Sequence, residues 1–110
     1  MTSDVPIPLA RPEGEVEQII QTTSKDSANV YFTGHAEQRM KERGFFDTDV
    51  FRVLRYGSIP KRPKFSKEHQ DWTYVMELRL KSGITLGVVV AMEPLPTDVV
   101  VVTVMSVVQI

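Results

Sequence analysis

Apolar positions recur at helical spacing in the first half of the chain and alternate with polar ones in the second half. In residues 13–23 the apolar side chains are Val16, Ile19 and Ile20, which share one side of a helix. The pattern predicts a first helix over residues 13–23, preceded by an extended lead of residues 1–12.

Two more helices are predicted in the middle of the chain, each ended by a glycine. Residues 34–43 form the second helix, and Gly44 stands where a helix is favoured to stop. Residues 48–56 form the third helix, with Asp47 as its N-cap and Gly57 as its stop. The buried positions expected on the third helix are Val50, Val53 and Leu54.

The hydrophobic period then changes from 3.6 to 2, which predicts strands. Residues 72–81 and 84–92 alternate in polarity and are separated by a Ser-Gly turn. Residues 99–108 are apolar on both sides, which places that strand inside a sheet or against a second subunit. Residues 29–33 suit a strand or an extended lead-in, and residues 58–70 form a basic connector with two prolines.

This order of elements predicts an α+β fold, in which helices pack on a mainly antiparallel sheet of about four strands. The chain has 110 residues, of which 42% are hydrophobic, enough for the single domain that we expect over residues 13–110. It contains no cysteine, which excludes a disulfide scaffold, a cysteine-ligated zinc and a thiol nucleophile.

We expect the protein to be cytoplasmic and not bound to membranes. Residues 1–10 have no basic region of the kind that begins an export signal, and they include Asp4 and two prolines. The most apolar stretch, residues 99–108, is too short for a membrane helix, which needs about 20 residues.

The formal net charge of -1 argues against binding nucleic acid through bulk positive charge, but it conceals a basic region. Residues 34–69 contain nine Lys/Arg against five Asp/Glu, a local excess of +4. This excess suits a polyanion bound at one place. The alternative is a solvated surface with no binding role.

Within that region, His35, Arg39 and Arg43 follow one another at intervals of four residues on the second helix. They span only about 80° of a helix at 100° per residue, beside the inward-facing Ala36 and Met40, where a cleft against the sheet would open. Three cationic groups in such a row repel one another unless an anion lies there. Alternatively, Glu37 or Glu42 neutralises the arginines in surface salt bridges.

The row suits phosphodiester cleavage of RNA without a metal ion or a cofactor. RNA carries its own nucleophile, the 2′-hydroxyl, and an imidazole such as that of His35 can serve as acid or base near neutral pH. Arg39 and Arg43 can donate hydrogen bonds to the phosphate oxygens. A metal site is not expected, because the only other histidine, His69, lies in a different segment.

The connector brings cations together with aromatic side chains, a combination that can hold single-stranded nucleic acid. Its candidate nucleic-acid-binding residues are Lys61, Arg62, Lys64 and Lys67. Phe65 and Trp72 are the aromatic residues, although Trp72 is in phase with Tyr74 and is better interpreted as core. The hydroxyl of Thr103 is a candidate to bind phosphate or orient His35; alternatively, it simply packs in its strand.

Four segments of the chain resemble one family of small bacterial and phage domains. They are HAEQRMKERG (35–44), DVFRVLRYG (49–57), GVVVAM (87–92) and VVTV (101–104). The family is a domain of unknown function with the pattern His-Ala-x-x-Arg-Met-x-x-Arg-Gly, grouped near the RelE-like toxins and, with them, barnase, EndoU and colicin ribonucleases. Met105 departs from the tyrosine found there in many relatives, and Phe45 from a smaller aliphatic residue.

The resemblance covers residues 30–108 and implies a RelE-like fold and metal-independent RNA cleavage. It puts His35, Arg39, Arg43 and Thr103 at the matching positions. We therefore predict a toxin-type endoribonuclease that binds RNA and is partnered by an antitoxin protein. The alternative is a non-catalytic binding or assembly module, with a homodimer formed through the strand at 99–108.

Overall fold

Three helices and five strands make up the fold, so the α+β class is confirmed. The computed structural model describes residues 9–67, 71–92 and 98–107. In chain order the elements are α1 (Glu13–Thr23), β1 (Val30–Phe32), α2 (Gly34–Arg43), α3 (Asp47–Tyr56), β2 (Lys64–Ser66), β3 (Asp71–Arg79), β4 (Thr85–Met92) and β5 (Val99–Val107). The bounds predicted for α1 and α2 agree residue for residue, and each long strand agrees within two residues. Position 108, predicted to end the last strand, lies outside the described residues.

The sheet has five strands rather than about four, in the order β1-β5-β4-β3-β2. Strands β2 to β5 pair antiparallel, whereas β1 runs parallel to β5 through the register Val30↔Val99 to Phe32↔Val101. The strand missing from the prediction is β2, which lies in the connector. Its three residues are too few to show an alternating pattern, and its pairing with β3 holds it in the sheet.

Helix ends follow local capping, with one correction to the prediction. Gly44 ends α2 in the left-handed conformation, with φ of 71°, as its position indicated. Asp47 is not the N-cap of α3 but its first residue. The carboxylate of Asp49 instead accepts a hydrogen bond from the backbone N–H of Phe46, at 2.9 Å, which moves the start of the helix one residue back.

All three helices lie on one face of the sheet. α3 packs on β3 and β4, α2 packs on β5 and β1, and α1 packs on α3. Within β3 and β4 the predicted alternation is confirmed by the burial of Tyr74, Met76, Leu86, Val88 and Val90. Ile84, which was predicted to begin the second of these strands, precedes β4 and is 45% exposed. The buried hydrophobic residues of the described part of the chain are Val16, Ile20, Val30, Ala36, Met40, Val50, Val53, Leu54, Tyr74, Met76, Leu86, Val88, Val90, Val99, Val101 and Val104.

We call the opposite side of the sheet the open face, and a bulge decides what β5 contributes to it. Val89 pairs with Thr103, but the next residue of β4, Val90, pairs with Val101, so Val102 is skipped. Strict alternation after the buried Val101 would turn Thr103 into the core. The extra residue inverts the order, so that Val104 is buried and Thr103 shares the open face with Val89.

Candidate functional site

His35, Arg39 and Arg43, which we call the helix row, lie along one side of α2 as the spacing predicted. Thr33 begins the helix, because its side-chain oxygen accepts the backbone N–H of Ala36 at 3.0 Å. Ala36 turns into the core and fixes the rotation of the helix. His35 and Arg43 are exposed, while the side chain of Arg39 keeps 39% of its surface accessible.

The first two members of the helix row contact each other. Nε of Arg39 donates to Nε2 of His35 at 3.5 Å, and Nη1 of Arg39 forms an ion pair with Oε2 of Glu42 at 2.9 Å. The other oxygen of Glu42 accepts from Nε2 of Gln38 at 3.2 Å. In this contact Nε2 of the imidazole is the acceptor. Glu42, one of the two glutamates considered as partners of the arginines, therefore does neutralise Arg39.

The third member, Arg43, is bonded to the sheet. Its Nη1 donates to the carbonyl oxygen of Val104 at 2.8 Å. Thr33 does the same at the other end of α2, where Oγ1 donates to the carbonyl oxygen of Val102 at 3.0 Å. Both carbonyls lie beyond Val101, the last residue of β5 that pairs with β1. The helix row therefore follows the outer edge of β5 and is held there at both ends.

Thr103 does not join the helix row. Its main chain lies next to the Val104 carbonyl that Arg43 binds, but its side chain is on the open face, whereas α2 packs on the other face. The sequence does not locate the bulge that causes this, because residues 99–104 are all valine except Thr103.

Three of the four connector cations gather on the open face. Lys61, Arg62 and Lys64 line a cavity of about 360 Å³, the open-face cavity, whose wall is more apolar than polar. Its other lining residues are Thr73, Val75, Glu77, Val89, Met105, Ser106 and Val107. Lys67 is exposed in the turn after β2 and does not line this cavity. His69 lies outside the described residues.

The aromatic side chains of the connector are not interleaved with these cations. Lys64 pairs with Thr73 on the open face, while the neighbouring pair, Phe65 and Trp72, points to the face that bears the helices. The two rings contact each other edge to face, with centroids 5.2 Å apart. Trp72 is partly buried and packs against the core. This agrees with the interpretation of Trp72 as a core residue, which its alternation with Tyr74 favoured.

The helix row and the connector are separated by face and by edge, although the cavity lined by the connector cations extends across the open face to Met105, Ser106 and Val107 of β5. The row follows the outer edge of β5, whereas the connector leads into β2 at the far end of the strand order. Three strand positions separate β5 from β2, which is about 14 Å at the usual spacing. The two basic segments are close to each other along the chain, but the fold separates them in space.

Two further features concern metals and membranes. Among residues 9–67, 71–92 and 98–107, no group of three or more His, Asp or Glu side chains is arranged to hold a metal ion. No helix in the same residues is long and apolar enough to cross a membrane.

Comparison with known proteins identifies a family. A family model described as a domain of unknown function, DUF4258, matches residues 32–106, which run from the end of β1 to near the end of β5. The match includes the helix row, the connector and the open face, and it leaves α1 outside. No curated protein and no solved structure matches the chain.

Proposed function

This chain belongs to the DUF4258 family of domains of unknown function, and we propose that it binds RNA and cleaves it as a metal-independent endoribonuclease. His35 is the proposed acid and base, and Arg39 is the proposed phosphate ligand. The activity is of the toxin type associated with RelE-like proteins. A protein with this activity acts on cytoplasmic RNA and needs an antitoxin partner.

The contact between Arg39 and His35 is the observation that supports this proposal best. Nε of Arg39 and Nε2 of His35 lie 3.5 Å apart on an exposed surface, so an imidazole stands directly beside a guanidinium group. A phosphodiester that binds Arg39 therefore comes within reach of His35. The pairing supplies, in one place, a proton acceptor and a positive charge for the developing negative charge on phosphate.

The proposed reaction begins when phosphate replaces the bonds that Arg39 makes in the free protein. The N–H of Arg39 turns from His35 to a phosphate oxygen, which frees the Nε2 lone pair of the imidazole. His35 takes the proton of the 2′-hydroxyl, and the 2′-oxygen forms a bond to phosphorus. The bond from phosphorus to the 5′-oxygen breaks, and the leaving oxygen takes a proton from water. Protonated His35 then gives its proton to the hydroxide that remains, so that it acts first as base and then as acid. The products are a 2′,3′-cyclic phosphate and a 5′-hydroxyl.

Arg43 and Thr103 have different places in this proposal. Arg43 holds α2 on β5 through the carbonyl of Val104. Because the residue is exposed, its remaining N–H groups can donate hydrogen bonds to a phosphate that binds there. Arg43 is therefore first a positioning residue for the helix row. We assign no step to Thr103, because its side chain is on the other face of the sheet.

The test is cleavage of single-stranded and structured RNA by purified protein in the presence of EDTA. We expect cleavage by the wild type and a loss of about 10²- to 10⁴-fold in His35→Ala, the usual size of an acid–base contribution. A substrate with one deoxynucleotide at the cleaved position should stay intact, because it lacks the 2′-hydroxyl.

Lys41→Ala is the matched control, because Lys41 is exposed on the opposite flank of α2. It should cleave like the wild type. Cleavage that persists in His35→Ala, or that disappears with EDTA, would contradict the proposed mechanism. If the wild type does not cleave RNA when protein and RNA are present at equal concentrations, the proposed activity is contradicted.

A second candidate function is a non-catalytic binding or assembly module, and the bonds of the two arginines favour it. Arg39 is paired with Glu42, and Arg43 is bonded to Val104, so both have structural partners in the free chain. In this case the wild type does not cut RNA and sediments as a concentration-dependent dimer. A dimer that pairs through the edge of β5 has little free edge available. β5 lies between β4 and β1, and where it extends beyond β1 its carbonyls at Val102 and Val104 already accept hydrogen bonds from Thr33 and Arg43.

A further inference from the structure

The open-face cavity is independent of the helix row and combines an aliphatic wall with a cationic rim. Val75, Val89 and Met105 supply side chains from the three central strands. Its volume of about 360 Å³ lies within the range of sites that bind small ligands or single side chains of a partner.

Gly87, the third residue of β4, leaves room for the aliphatic side chains of the wall. A Cβ atom added at Gly87 would lie 3.0 Å from Cγ2 of Val107 and 3.2 Å from Cγ of Met105. The same atom would lie 3.4 Å from Cγ1 of Val75. Side chains of β5 and β3 therefore occupy the space beside the backbone of β4 that a side chain at position 87 would fill. The same three residues, Val75, Met105 and Val107, line the open-face cavity.

The rim of the cavity carries an excess of positive charge. Lys61, Arg62 and Lys64 are exposed, and within the described part of the chain none of them forms an ion pair with a carboxylate. Among the described residues, Glu77 is the one carboxylate in the lining. The cavity therefore suits a ligand with more than one negative charge.

The chemistry of the wall favours an anionic partner with aliphatic side chains over single-stranded nucleic acid. Sequence-tolerant binding of single-stranded nucleic acid depends on aromatic rings on which bases stack. The two aromatic side chains of this region, Phe65 and Trp72, point to the other face of the sheet. An aliphatic wall instead buries aliphatic side chains, which gain about 25 cal/mol for each Å² removed from water.

We propose that the open-face cavity binds an acidic peptide segment of a partner protein. An aliphatic side chain of the segment enters the cavity against Val75, Val89 and Met105. Carboxylates on either side of it pair with Lys61, Arg62 and Lys64 at the rim. This assignment gives the connector cations a protein ligand in place of the RNA that the sequence predicted, and it does not depend on the proposed ribonuclease activity.

The test uses a fluorescein-labelled peptide of alternating aspartate and leucine, whose binding to the full chain is followed by fluorescence anisotropy. We expect Lys64→Glu to raise the Kd about fivefold to tenfold, because a rim attraction becomes a repulsion. Val89→Asp should raise it by about tenfold or more, because the carboxylate faces the leucine side chain. Circular dichroism and the melting temperature establish that each variant is folded.

Lys81→Glu is the matched control, with the same change of charge at an exposed lysine that does not line the cavity. A peptide in which serine replaces leucine tests the aliphatic wall and should bind about tenfold more weakly. Equal binding of the peptide by Lys64→Glu and Lys81→Glu would overturn the proposal, and so would equal binding of the serine peptide. The proposal would also be overturned by an oligouridylate that binds the wild type, loses affinity in Lys64→Glu and displaces the leucine peptide at a lower concentration.

Discussion

The helix row and the open-face cavity are both cationic, but they use their charges differently. In the helix row, Arg39 forms an ion pair with Glu42 and a hydrogen bond with His35. Arg43 donates a hydrogen bond to the carbonyl of Val104 in β5. In the open-face cavity, Lys61, Arg62 and Lys64 project from a connector and form no ion pair within the described residues.

The difference separates structural from ligand-binding roles. A side chain bonded to its own chain contributes to stability, and a ligand must replace that bond. A side chain exposed at a rim contributes little to stability and is available to a ligand at once. Substitutions that remove a hydrogen bond between α2 and β5 should therefore lower the free energy of unfolding, whereas substitutions at the rim should change binding alone.

The largest effect is expected at Thr33, which holds the start of α2. Thr33→Val removes the cap on the N–H of Ala36 and the bond to the carbonyl of Val102, while it preserves the shape of the side chain. We expect a loss of about 2 kcal/mol, about half from each bond, in the free energy of unfolding measured with urea. Thr33→Ser keeps both bonds and should lose less than half as much. Equal losses in the two variants would show that the hydroxyl does not hold the helix.

Arg43 should give a smaller loss and tests the comparison directly. Arg43→Met keeps most of the aliphatic stem and removes the donor to Val104, which we expect to cost about 1 kcal/mol. Arg62→Met makes the same change at the rim of the open-face cavity and should cost less than about 0.5 kcal/mol. Equal costs, measured side by side by urea denaturation, would remove the distinction between the two surfaces.

The smallest effect on stability is expected at Glu42, where binding should change instead. Glu42→Gln breaks an exposed ion pair and should alter the free energy of unfolding by less than about 0.5 kcal/mol. It frees Arg39 for phosphate, so the affinity for a non-cleavable 2′-deoxy oligonucleotide should rise about twofold to fivefold.

Glu37→Gln is the control for this prediction. Glu37 is exposed on the opposite flank of α2, where it lines a different cavity with Lys41. The substitution changes the net charge equally without touching Arg39, so its effect on affinity should be smaller. An equal rise in both variants would mean that the overall charge of α2, rather than the release of Arg39, controls binding.

Patterns within short stretches of sequence were enough to predict the local structure and the helix row. Helical spacing and a terminal glycine set the limits of α2, and the same spacing placed His35, Arg39 and Arg43 on one side of it. Alternation set the buried side chains of β3 and β4. These features depend on residues close together in the chain, whose periods of 3.6 and 2 are imposed by backbone geometry.

Which of these residues lie close together depends on how distant segments of the chain pair in the sheet. The bulge in β5 turns Thr103 away from the helix row, and the pairing of β2 with β3 points Lys64 and Phe65 to opposite faces. The strand order then places the row and the connector at different edges of the sheet. Register and strand order follow from contacts between distant segments, and a shift of one residue in register reverses the face of every side chain that follows.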